Sequence, residues 1–160
     1  MRRVQQGFSL VELMIVVSII GILAAIAIPN FLMMQSKAKR AELPANVDGI
    51  KTAELGYHAE FDEYLALTTS PTGTPAKAQT TWTANGTEWT RLGWSPDGEV
   101  RGQYGATLVQ CDQDPTTYAA DVPVFCVTGA SDVDADSNRV VYYAGPLYNP
   151  TVKLGSEAVY

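Results

Sequence analysis

Between Phe8 and Met34 this sequence carries one ionisable side chain, Glu12, and in its 160 residues it has one histidine and two cysteines. Each shortage closes a class of function. The lone His58 lies in a helical stretch where no cysteine, serine or acid can be set beside it from sequence, so no catalytic residue is assigned and an enzyme is not expected. A net charge of −6 without a basic cluster gives little to neutralise phosphates, which argues against nucleic-acid binding. An acidic outer surface keeps a domain soluble instead. A secretory cleavage site is also missing: Ala24, Ala25 and Ala27 lie inside the apolar run, and a cut there would leave a strongly apolar new end.

What is present is a long apolar segment at the amino terminus. A hydrocarbon core about 30 Å thick needs roughly 20 helical residues at about 1.5 Å each, and residues 13–34 are long enough to cross it. The sequence therefore divides into a leader, residues 1–7; a transmembrane helix, 8–34; an amphipathic helix, 35–65; and a carboxy-terminal β domain, 66–160. Charge counting does not orient the span, because Arg2 and Arg3 on one side are matched by Lys37, Lys39 and Arg40 on the other. The cysteines bear on it. Cys111 and Cys126 suit a disulfide formed in an oxidising compartment, which would set the β domain outside the cytoplasm and the leader inside; the other reading is two buried thiols.

Leu, Ile, Met and Ala predict a helix from Phe8, with a kink near residues 26–29 where Pro29 removes a backbone donor. A second bend is expected at residues 41–44. Beyond Gln35 the apolar pattern becomes one-sided: Leu43, Val47, Ile50, Ala53, Tyr57, Phe61 and Tyr64 recur at helical steps, while Lys51, Glu54 and the other charges are expected mostly elsewhere. A helix from residue 8 to 64 would be roughly 85 Å long, so most of its first half is expected to project from any small domain. Residues 68–85, rich in Thr, Ser, Pro and Gly, read as a connecting loop. Strand signals follow at residues 89–94, 100–109, 122–128 and 139–144. Gly145-Pro146 is expected to end the last strand, with residues 147–160 as a loose cover. The fold class is α+β: one long helix whose second half packs on an antiparallel sheet of three or four strands. Trp82, Trp89, Trp94, Tyr142 and Tyr143 are expected to pack that sheet.

An acid inside a membrane is costly unless paired, which makes Glu12 a functional residue by default. If the chain were cut after Gly7, Phe8 would gain a free α-amine four residues from Glu12. The pair could close within one helix or between neighbouring copies, and the second arrangement would fix axial register. A glutamate snorkelling at the membrane edge is the plainer alternative. Elsewhere Asp132, Asp134, Asp136 and Asn138 alternate oxygen ligands as a short Ca²⁺-wrapping loop does, against the plainer reading of an acidic solvated turn. It is not an EF-hand, because Ser137 stands where the turn glycine belongs and Tyr143 where the bidentate glutamate would be. No other cofactor is expected.

The run from Gly7-Phe8-Ser9-Leu10-Val11-Glu12 to Pro29 resembles the amino terminus of type IV prepilins and type II secretion pseudopilins. The resemblance is specific over about the first 30 to 40 residues, with a weaker echo in residues 92–98 and 101–105. It implies a pilin fold, a cut between Gly7 and Phe8 by a prepilin peptidase that also methylates the Phe8 amine, and assembly through Glu12 and a neighbouring subunit's terminus. Gly21 and Pro29 match positions bounding the region where the family's helix can loosen. The implied partners are further copies of the chain, the peptidase and the pilus or secretion assembly machinery. The implied location is the inner membrane, with a cytoplasmic amino terminus, and then an extracellular pilus. Adhesion, twitching motility or DNA uptake would follow for a pilin, and protein secretion for a pseudopilin, some of which carry a calcium loop. Many type IVa pilins hold their disulfide nearer the carboxy terminus than Cys111 and Cys126 stand here.

Overall fold

The computed structural model describes residues 7–74, 77–111, 123–133 and 139–152. The chain divides into two units, Met1–Gln35 and Ser36–Tyr160. Helix α1, Leu10–Arg40, fills the first unit and enters the second. Its sequence of Leu, Ile, Ala and Met favours helix throughout, and Lys37, Lys39 and Arg40 in the last turn complement the negative end of its dipole. Pro29 lies inside α1, and the kink expected there leaves no interruption in the helix.

The interruption expected near residues 41–44 falls at Ala41, a single turn residue before α2, Glu42–Phe61. Pro44 supplies the reason. It has no N–H for the Arg40 carbonyl and its ring crowds that oxygen, whereas as the third residue of a new helix it needs no intrahelical donor. The Ala41 N–H still reaches the Lys37 carbonyl at 3.2 Å, so the break is local. At the other end Asp62 takes a left-handed conformation, φ 60°, and donates its N–H to the His58 carbonyl at 2.8 Å.

Among the described residues five strands form one antiparallel sheet in sequential order: β1 Leu67–Ser70, β2 Gly102–Thr107, β3 Cys126–Ser131, β4 Val140–Gly145 and β5 Tyr148–Val152. Leu67, Ala106, Val127 and Ala144 are register partners across four strands, and all four are buried in the core that Val47, Ile50 and Tyr57 of α2 share. Two residues along, Tyr104, Gly129 and Tyr142 form the next such row. A short helix α3, Glu88–Leu92, brings buried Trp89 against Trp82 and Trp94 at ring separations of 5.1 and 5.7 Å. Cys111 and Cys126 form a disulfide with Cα atoms 5.1 Å apart, packed on Tyr143 and Tyr148.

Several sequence expectations are corrected. Among the described residues the sheet has five strands, not three or four, because two short edge strands escaped the pattern. β1 opens the segment taken as loop; its Thr-Thr-Ser composition carries no apolar alternation. β5 begins beyond Gly145-Pro146, which makes a tight turn into another strand instead of ending the sheet. Pro150 within β5 is tolerated because an edge strand has one side without a pairing partner. Residues 89–94 hold α3 instead of a strand, closed by Gly93 at φ 70°. Of the expected helix stripe, Phe61 is exposed, while Lys51 and Glu54 are buried on the face toward the core.

Candidate processing and assembly site

Gly7 and Phe8 precede α1 in non-helical backbone. Among the described residues no atom beyond Gly7's own chain neighbours lies within 4 Å of where its Cβ would stand, and Phe8 is 79% exposed. The described residues thus leave the peptide bond between them uncovered. Phe8 is followed by the first capping residue of the helix.

Ser9 and Glu12 bond each other reciprocally. The Ser9 N–H and its hydroxyl donate to Glu12 Oε2 at 2.9 and 2.7 Å, and the Glu12 N–H reaches Ser9 Oγ at 3.2 Å. This is a capping box, in which the N-cap side chain and the third helical residue satisfy each other's orphan donors. It holds the carboxylate at the positive end of α1. Among the described residues both bonds that the Glu12 carboxylate accepts fall on Oε2, which leaves Oε1 for a further partner. The Ser9 role was missed from sequence, although the Ser-x-x-Glu spacing ahead of an apolar run is its signature.

Past this box the helix is apolar on every side. Val11, Leu13, Met14, Ile15, Ile19 and Ile22 are all more than half exposed, so the helix leaves these side chains for another apolar environment to cover. It is long and apolar enough to cross a membrane. Ser18 hides its hydroxyl by donating to the Met14 carbonyl at 2.8 Å, which removes an unsatisfied donor from that surface. A Cβ on Gly21 would meet nothing within 4 Å, and Pro29 lies two turns further on.

Gly7, Phe8, Ser9 and Glu12 are therefore brought together by one helix start, and Gly21 and Pro29 share the same helix. Of the proposed calcium ligands Asp132 is described, while Asp134, Asp136 and Asn138 lie outside the described residues. Among the described residues no group of three or more His, Cys, Asp and Glu could hold a metal ion. His58 stacks on Tyr64 with ring centroids 4.3 Å apart and lies 3.9 Å from Asp62, a packing position.

Residues 2–28 match the family described as the prokaryotic N-terminal methylation motif. The amino-terminal segment is similar to that of type IV pilins and fimbrial proteins. The segment is 52% identical over 59 residues to the type IV major pilin protein PilA of Myxococcus xanthus, covering 37% of this chain and 27% of that one. It is 49% identical over 67 residues to a fimbrial protein of Pseudomonas aeruginosa, 42% of this chain and 44% of that one. A fimbrial protein of Neisseria meningitidis is 39% identical over 70 residues, 44% and 41% of the two chains. The alignments thus span under half the length of these relatives. These relatives are named as pilin and fimbrial proteins. No solved structure matches it.

Proposed function

We propose that this chain is the precursor of a type IV pilus subunit, cut after Gly7, methylated on the new Phe8 amine and polymerised through its amino-terminal helix into an extracellular filament. The observation that carries the reading is the capping box at Ser9 and Glu12, set between an open Gly7-Phe8 bond and a helix apolar on every side. Before the cut, the apolar helix rests in the inner membrane, with the leader on the cytoplasmic side. The cut creates a positive terminus one residue before Ser9, and the open Glu12 oxygen is suited to receive such a terminus from a neighbouring copy. Exchange of lipid for other subunits then buries the same apolar surface at little hydrophobic cost. Partners are further copies of the chain, the peptidase and methyltransferase, and the assembly machinery; adhesion, twitching motility or DNA uptake would be the filament's use.

The test is the intact mass and terminal residue of the protein in filaments sheared from cells. A methylated chain beginning at Phe8 is expected. Replacing Gly7 by valine should leave the leader attached, and a normally processed mass in that variant would overturn the cleavage site. If the chain is missing from the sheared fraction and its deletion stops protein secretion, the pseudopilin reading replaces this one.

A further inference from the structure

We propose that the connection from α2 to β1 is a proton-operated clasp, in which protonated Glu54 holds the chain at Leu65 and loss of the proton loosens that hold. Glu54 lies on the α2 face turned to the core and is 0% exposed. Its Oε2 accepts the Leu65 N–H at 3.0 Å, eleven residues further along the chain. Its Oε1 is buried with no partner among the described residues. Leu65 and Leu67 are themselves core residues, and Tyr64 between helix and strand packs on Phe125 with ring centroids 4.6 Å apart. One side chain thus ties the helix to the turn that starts the sheet.

The arrangement suits an acid and not a carboxylate. A neutral carboxyl keeps Oε2 as the acceptor for Leu65 and carries no charge into the core, whereas the ionised form leaves a buried, half-partnered charge. The surrounding charges do not compensate. On α2, Lys51 is occupied by Tyr148 and Asn149, and Tyr57 by Arg91 and Glu63. His58 stacks on Tyr64. From α3, Arg91 is held by Glu63 at 3.2 Å. From β2, Tyr104 is held by Asn46 and Glu42. β4 presents Tyr142 and Tyr143, and β5 Tyr148, while β1 and β3 have no titratable side chain apart from the bridged Cys126. Tyr64 is the group that feels the Glu54 charge, and it is an acid too.

Burial pushes the Glu54 carboxyl up to about 7, against the bond from Leu65, which lowers it. The sign follows. Between its ordinary value of 4.5 and about 7 the folded chain holds a proton that the unfolded chain has released, so stability falls as pH rises through that window and levels off above it. The clasp is tight in mildly acidic surroundings and loose in alkaline ones.

The test compares the full chain with Glu54→Gln, both in detergent micelles, by thermal unfolding from about pH 5 to about pH 8.5 and by amide hydrogen exchange. Glutamine keeps the acceptor for Leu65 and cannot ionise. The wild type should lose several degrees of Tm across that range relative to the variant; parallel curves would overturn the clasp. In the wild type alone, protection of the Leu65 amide, corrected for intrinsic rate, should fall about tenfold or more above about pH 7. Protection that stays constant there would overturn the proposal even if the variant failed to fold.

Discussion

Ser9 and Glu12 occupy each other: three hydrogen bonds of 2.7 to 3.2 Å join them, and one carboxyl oxygen takes both bonds that Glu12 accepts. The same acid therefore closes the first turn and, on the proposed function, offers its other oxygen to a partner outside the chain. The two tasks are separable by mutation. Glu12→Gln keeps an acceptor for the box and loses the charge, so it should be processed normally yet give a much lower filament yield. Ser9→Ala keeps the charge and loses the cap, at about 1 kcal/mol, which should fray the first turn. Amide exchange at residues 10–13 would read the second effect and sheared-filament yield the first. Full yield from Glu12→Gln would show that the charge has no part in assembly.

The disulfide is expected to contribute stability chiefly through the unfolded chain. Cys111 and Cys126 are 15 residues apart, and closing a loop of that size contributes about 3 kcal/mol in the chain-entropy account. Reduction should therefore lower the denaturant midpoint of the full chain in detergent without changing it further when both cysteines are replaced by serine. A midpoint indifferent to reductant would mean that the bridge adds little beyond the packing of Tyr143 and Tyr148 around it.

Lys51 anchors the last strand. Its buried ammonium donates to the Tyr148 carbonyl at 2.9 Å and to Asn149 Oδ1 at 3.1 Å, tying β5 to α2 as well as to its neighbour β4. Lys51→Met preserves most of the stem packing and removes both bonds, at a cost of about 2 kcal/mol. The loss should be uneven: amides of β5 should exchange faster while those of β2 and β3 change little. Uniform loss, or none, would mean that β5 is held by β4 alone.

The helix, its break and the central strands were legible because apolar residues repeat at the period of the element they form: Val47 and Ile50 on α2, and Tyr104 and Ala106 on β2. The edge strands were not. β1 carries Thr68, Thr69 and Ser70, whose polar side chains suit a loop equally well, and β5 contains Pro150; tertiary pairing decides both. α3 misled for a related reason, since Trp89 and Leu92 are apolar in any conformation and only Gly93 marks a helix end. Lys51 and Glu54 were read as solvent-facing because charge usually is, yet each finds a backbone partner that no sequence pattern announces. At the candidate processing site Glu12 stood out as the one charge in an apolar run, and Gly7 and Phe8 entered through the resemblance, whereas Ser9 acts through a hydrogen bond and was hidden in an ordinary residue type.

Gly129 lies where Val47 of α2 presses on the sheet. A Cβ built on it would stand 2.6 Å from Val47 Cγ2 and 3.1 Å from the Tyr104 ring, both of which are fully buried and hold their neighbours in place. Tyr104 is its register partner on β2, and its hydroxyl is fixed by Asn46 and Glu42, so the ring has little room to swing aside. Gly129→Ala should then cost about 1 to 3 kcal/mol by overpacking, in contrast to a surface strand where alanine would be neutral or better. The cause can be separated from a general loss of backbone freedom. Val47→Ala removes the atom in the way, so it should cost less in the Gly129→Ala background than in the wild type, with a coupling of about 0.5 kcal/mol or more in a double-mutant cycle. Strict additivity of the two changes, measured by denaturant unfolding of the full chain, would mean that the helix can retreat from the sheet and that the glycine is not what sets their separation.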